Sequence, residues 1–313
     1  MAMLADSIIA GVKSRSLFAT NQITINTDQL LAFMNSVIQL DLVSLIDSAN
    51  EEFFVRTVDV PIVASESRYR IPYRAMGRTL RDLKFHDTEL GNERFANMIQ
   101  VGINDLSSFQ GGTRNFAGFY FKGDSVILVP DVPDVVSATA ALQMWYRLKP
   151  SSLCLLENSA VVVSINSPDI TVDQVPTNLA SGSLVDFVQA KEGCDIYEFD
   201  KPILNIAGTT LTFDPADIPP ELAVADYISL AQTSPVVNMI PDECQPLIEN
   251  KTAKLLLASI GDMPGSTQFD GWITDMEEMI LKMIQPRTDG NPKVIMNRYS
   301  LARARRYWGG GLL

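Results

Sequence analysis

Apolar residues in this chain recur every three to four positions near its two ends and every second position between them. The first spacing lines one face of a helix and the second lines one face of a strand. The switch of period restricts the 313-residue chain to an α+β fold, with helices contributed by both ends and strands by the middle. Near the start, Leu30, Leu31, Met34, Val37, Ile38, Leu42, Leu45 and Ile46 keep a 3–4 spacing. They predict a long helix with Thr27 as N-cap and its end near Asn50. Near the end, Pro241-Asp242-Glu243 opens a second helix with proline and acids where the macrodipole favours them, and Gly261 stops it. Ser266 or Thr267 caps a third, which runs through Phe269, Trp272, Ile273, Met276, Met279, Ile280, Met283 and Ile284 to Pro286. A short Gly/Pro loop joins these two into an antiparallel hairpin, and the first helix completes the bundle.

Between them, Val58, Val60 and Ile62 alternate with Asp59 and Pro61, and Tyr69-Arg70-Ile71-Pro72 is extended. Phe119-Tyr120-Phe121 and Val126–Pro130 flank Gly123-Asp124 as a β-hairpin, and Leu142–Leu148 is a further strand closed by Pro150. Thr88–Leu106, with Phe95, Met98 and Ile99, has a weaker helical pattern. From Ala160 to Val237 short apolar runs alternate with Pro, Gly, Asn and Asp, which predicts a small β-sandwich or barrel inserted in the body. The expected organisation is an N-terminal arm over 1–21 and a helix-plus-hairpin body over 22–155. The inserted β-domain covers 156–237, the helical hairpin 238–286, and a basic docking arm 287–313.

The residues that would carry chemistry are scarce. One histidine, His86, cannot build a His-rich metal site, and no GxSxG elbow accompanies it. Neither GxxxxGK[ST] nor GxGxxG occurs. Cys154, Cys194 and Cys244 are scattered, against both a disulfide framework and a zinc site. Asp214, Asp217, Glu221 and Asp226 lie in a proline-rich stretch, where a solvated acidic loop competes with a hydrolytic carboxylate pair. No catalytic residue, cofactor or metal is therefore expected. No apolar run approaches the roughly 20 residues needed to span a bilayer. Lys13 and Arg15 follow the apolar stretch Ser7–Val12, the reverse of a signal peptide, so synthesis in the cytoplasm is expected.

Charge gives a more positive lead. The chain carries −12 overall, but from Gly290 onward Lys293, Arg298, Arg303, Arg305 and Arg306 meet no acid, leaving −17 on the remainder. An acidic body repels nucleic acid, and a short basic tail seeks an acidic partner. The tail also holds Tyr299, Tyr307 and Trp308, then three glycines and Leu312-Leu313. Tyr, Trp and Arg dominate binding hot spots, so Arg298, Tyr299, Arg303, Arg305, Arg306, Tyr307, Trp308, Leu312 and Leu313 are the expected partner-docking residues. Disorder in solvent and contact with nucleic acid are the alternatives for this tail. Trp272, Met276, Met279 and Met283 read by default as core, and as a candidate subunit interface because methionine adapts to irregular partners.

The order of segments resembles a known group. An early helix of the Thr27–Ile46 type is followed by the Tyr69–Pro72 element, the Phe-Tyr-Phe-turn-Val-Ile-Leu-Val-Pro hairpin and a Trp145-Tyr146-Arg147-Leu148-Lys149-Pro150 strand. Then come Ala225-Asp226-Tyr227-Ile228, Ser234-Pro235, the Pro241–Gly261 helix and a basic arm. This arrangement is similar to the head–tail connector (adaptor, neck) virion structural proteins of tailed bacteriophages. The β-domain departs from the smallest of these adaptors, which are little more than a helical bundle. The resemblance implies a non-enzymatic homo-oligomeric ring in the virion neck, of about twelve copies to match the portal. It also implies that the C-terminal arm reaches into the portal protein, that a neck or tail protein binds below, and that DNA passes through unbound during genome ejection. A tail, baseplate or fibre-attachment component is the alternative, and a carboxylate-dependent hydrolase a remote one.

Overall fold

A computed structural model describes residues 3–16, 26–87, 92–102, 118–129, 131–133, 136–191 and 194–285. The fold is α+β, with a long N-terminal helix and a C-terminal helical hairpin. The helices are α1 (Ala5–Arg15), α2 (Thr27–Ala49), α3 (Gln245–Ser259), α4 (Met263–Thr267) and α5 (Asp270–Ile284).

Helix α2 begins one residue earlier than its sequence suggests. Asn26, not Thr27, is the N-cap, and its side chain accepts from the Asp28 amide at 3.2 Å. The helix widens to a π-turn over Val37–Leu42. At 23 residues and a mean hydropathy of 1.5, α2 is long and apolar enough to cross a membrane by length and composition, contrary to the expectation from apolar runs alone. Its apolar face is occupied otherwise: Leu30, Met34, Ile38, Leu42 and Ile46 are buried among α1, α3 and α5.

The expected N-terminal arm is also corrected. Residues 5–15 form a helix, because Ala5, Ile8, Ile9 and Val12 share a face and bury it against α3. Arg15 crosses to buried Glu249 at 2.7 Å and to Asn250 at 2.7 Å. Gly11 allows the close approach: a Cβ there would meet the Glu249 carboxyl group.

Four sheets are formed among the described residues. Strands β1 (Val55–Pro61), β3 (Asp82–Asp87), β4 (Asn92–Asn97) and β8 (Ala141–Arg147) form one sheet in the order β1-β8-β3-β4. Strands β2 (Arg68–Arg70), β5 (Ile99–Gln100), β6 (Gly118–Lys122) and β7 (Ser125–Val129) form a second in the order β2-β7-β6-β5. Leu83, Phe119, Val126, Leu128, Leu142 and Met144 of the two sheets share one core. The weak helical pattern over Thr88–Leu106 is overridden where the chain is described. Hydrogen bonding to β3 and β6 draws 92–97 and 99–100 into strands. A parallel pair, β9 (Ser152–Leu153) with β17 (Thr233–Ser234), carries the chain into and out of the β-domain.

That domain holds β10 (Ser159–Asn166), β11 (Asp169–Val172), β12 (Leu184–Val188), β13 (Ile196–Pro202), β14 (Asn205–Ala207), β15 (Thr210–Thr212) and β16 (Tyr227–Leu230). Strand β10 changes partner along its length. Ser159–Val161 pair with β16, whereas Val162–Asn166 pair with β11 after an irregularity between Val162 and Ser164. That break lets one strand serve two antiparallel ladders, β13-β12-β16-β10 and β10-β11-β15-β14. They share a core in which the Phe187 and Phe213 rings lie 5.1 Å apart.

Candidate assembly surface

The apolar residues of α5, Leu281 included, span an arc of about 200° at 100° per residue, wider than the bundle can cover. Phe269, Ile273 and Ile280 are buried in the bundle core. A shift of one residue from Ile273 and Ile280 gives Trp272 and Met279, about 100° around the helix. These two and Met283 are exposed, at 59%, 50% and 44%. The ring of Trp272 stands edge-on to Phe269, with centroids 5.9 Å apart. Met276 turns inward, where its sulfur accepts from Asn250 Nδ2 at 3.3 Å. The rotation of α5 is held by Lys251–Glu277 at 2.7 Å and Lys254–Asp270 at 2.6 Å. The four candidate interface residues therefore divide. Met276 packs against the core, while Trp272, Met279 and Met283 form an outward apolar stripe. The partner-docking residues Arg298 to Leu313 lie outside the described residues.

The β-domain is fastened to the body by a cluster that the sequence reading missed. Arg74 is 6% exposed and lies just beyond the Tyr69–Pro72 element. Its Nη2 donates to both oxygens of Asp186 at 2.8 and 2.9 Å and to Asp200 at 2.8 Å. The guanidinium carbon lies 4.6 Å from the Phe199 ring centroid and 5.5 Å from that of Tyr73. Asp186 is fully buried and also accepts the Asp200 and Gln232 amides, each at 3.0 Å. Both of those residues adopt left-handed backbones, φ 57° and 66°. Burial pushes the Asp186 carboxyl pKa up, against the downward pull of Arg74 and the two amides. Burial pulls the Arg74 pKa down, but Asp200 and Asp186 outweigh it and hold the guanidinium above its ordinary value. One signal was legible: Asp186 is a charge inside Leu184–Val188, an otherwise apolar strand.

Of the candidate acids, Asp214, Asp217 and Asp226 have structural partners, and Glu221 is exposed. Asp214 caps a short 3-10 turn by accepting the Ala216 amide at 3.0 Å, and Asp217 pairs with Lys201 at 3.0 Å. Asp226 is 2% exposed and accepts the amides of Ala190 at 2.9 Å and Ala223 at 2.8 Å. The expected solvated loop thus contains one buried acid that organises backbone. His86 lies on β3 opposite Ala141. Burial pushes the Cys154 and Cys194 thiols up to about 11 and Cys244 to about 12. Among the described residues, no three His, Cys, Asp or Glu side chains are grouped to hold a metal ion. No protein-family model matches the chain, and no curated protein matches it.

Proposed function

We propose that this chain is a non-enzymatic assembly protein, a head–tail connector that forms a ring under the portal of a tailed phage. The observation that carries the assembly reading is the outward stripe of Trp272, Met279 and Met283 on a helix whose rotation is fixed. Clustered aromatic and thioether side chains of this kind are enriched in protein interfaces. On this reading the stripe is covered by a neighbouring copy, and the ring is heterologous, closing by rotation. The order of segments supports the neck as its place.

Charge gives the two ends of the molecule different work. An acidic body lining a channel offers DNA few phosphate contacts, so little counterion release holds the passing genome. The basic, aromatic tail then docks on an acidic face of the portal.

Electron microscopy and portal pull-down of the full chain test this together. A ring of about twelve subunits is expected, and Trp272→Ser with Met279→Ser should disperse it while leaving circular dichroism unchanged. Deleting Ser300–Leu313 should abolish portal binding. Undiminished co-purification of that deletion with the portal refutes the tail's role. Three-fold or six-fold assemblies refute the neck in favour of a tail component.

A further inference from the structure

A heterologous ring joins two different patches of the same chain, so the outward stripe of α5 needs an unlike surface to receive it. A cavity of about 680 Å³ beside the Gly123-Asp124 turn of the second sheet has the required character. Leu80 and Phe121 form its apolar wall and pack on the core that the first two sheets share, whereas the stripe rides on the bundle core. Gly77 and Gly123 line it without side chains, at φ 62° and 63°. Its surroundings are cationic. Arg78 and Arg68 lie 4.0 and 3.7 Å from Asp124, and Arg68 also donates to the Ser125 hydroxyl at 3.0 Å. Arg70 on β2 and Lys122 on β6 stand opposite Ser125 in one row across three strands. The Ser125 hydroxyl first, then Arg70 and Arg68, hold the Asp124 carboxyl below its ordinary range. Four exposed cations thus share one carboxylate, on a chain whose net charge is −12.

We infer that this cavity receives the α5 stripe of the next copy, with Trp272 inserted against Leu80 and Phe121 and Asp275 on the arginine rim. The inference rests on the reading that a neighbouring copy covers the stripe, and it names the surface that does so. Size, charge and the character of the other cavities select the pairing. Trp272 is the largest exposed apolar side chain among the described residues, and the cavity is within the roughly 300–1,000 Å³ of pockets that enclose bulky groups. Asp275 is exposed and lies about 40° from Met279 and about 60° from Trp272 around the helix, so it enters with them. Glu278 is already shared with Lys282 at 3.5 Å, which leaves Asp275 as the stripe's carboxylate for a partner. A cavity beside Asp6, Lys13 and Glu157 sets two acids against one cation, which repels Asp275. A cavity beside Arg56 and Asp195 is only about 250 Å³, and those two residues pair with each other at 3.0 Å. An aromatic anchor in an apolar pocket, ringed by opposite charges, is the composition of an interface hot spot.

Complementation between two defective forms of the full chain tests it, with assembly mass read by analytical ultracentrifugation. Trp272→Ser with Met279→Ser removes the inserting face. Arg70→Glu with Arg78→Glu reverses the rim, and Thr79→Phe fills the cavity without a change of charge. All three of these cavity positions are exposed, so circular dichroism should match that of the unaltered chain. Each variant alone should stay a monomer. An equimolar mixture of the stripe variant with either cavity variant should double in mass and grow no further, because each pair keeps one intact stripe and one intact cavity. A ring that persists in both cavity variants overturns the inference and leaves the neighbouring-copy reading standing. So does a mixture that stays monomeric although the unaltered chain assembles. An unaltered chain that is itself monomeric overturns both.

Discussion

Replacing Arg74 by methionine should be among the most damaging single changes in this protein. The guanidinium donates two bonds to Asp186 and further bonds to Asp200, and it lies over the Phe199 ring. Methionine keeps most of the packing volume but leaves the fully buried Asp186 with only the amides of Asp200 and Gln232. Asp200, 22% exposed, can recover water. Removing one partner of a buried ion pair costs about 3–5 kcal/mol, chiefly for the stranded charge. Urea denaturation followed by circular dichroism should show that loss, and adding Asp186→Leu should restore much of it. The pH dependence gives a sharper check. The folded pKa of Asp186 is raised, so the folded state holds the proton more tightly than the unfolded chain does. The resulting stabilisation is present at acidic pH and is lost as pH rises through that raised pKa. Without Arg74 the pKa rises further, so the deficit of Arg74→Met should shrink as pH falls from about 7.5 toward about 5. A loss below about 1 kcal/mol, or one that grows on acidification, would refute the charge-burial account.

At Gly11 an added methyl group would meet the Glu249 carboxylate, which Arg15 and Gln245 hold in place; Gly11→Ala should lower stability by about 1–3 kcal/mol in thermal unfolding, despite alanine's helix propensity. The three thiols should react slowly with a thiol reagent at about pH 8 in the native protein and rapidly once it unfolds, since burial holds Cys194 and Cys244 protonated well above that pH. Rapid native labelling of Cys194 or Cys244 would contradict their burial.

Local pattern was enough wherever one face of an element decides its fate. The Phe119–Val129 hairpin forms because its alternation and Gly123, at φ 63°, agree on the same turn. Leu184–Val188 and Tyr227–Leu230 are strands at the limits their apolar runs set. The pattern failed where a partner far along the chain overrode it. The helix over 5–15 depends on α3, more than 230 residues away, to cover Ile8 and Val12. The residues at 92–100 are strands because β3 and β6 supply hydrogen bonds that no local spacing records. Strand β13, half-buried along its whole length, has no clean period to read.

The candidate surface divides in the same way. Sequence alone determined the α+β class, the helical ends, the scarcity of catalytic residue types and the opposed charges of body and tail, because these follow from composition and local periodicity. Only the tertiary structure decided which apolar residues of α5 face outward. Trp272 and Ile273 are equally apolar and adjacent in sequence, yet the first is exposed and the second buried. Tertiary structure also brought Arg74 to Asp186, across 112 residues. The reason is physical: periodicity specifies that an element has an apolar face, while the area available to cover that face is set by elements distant in the chain.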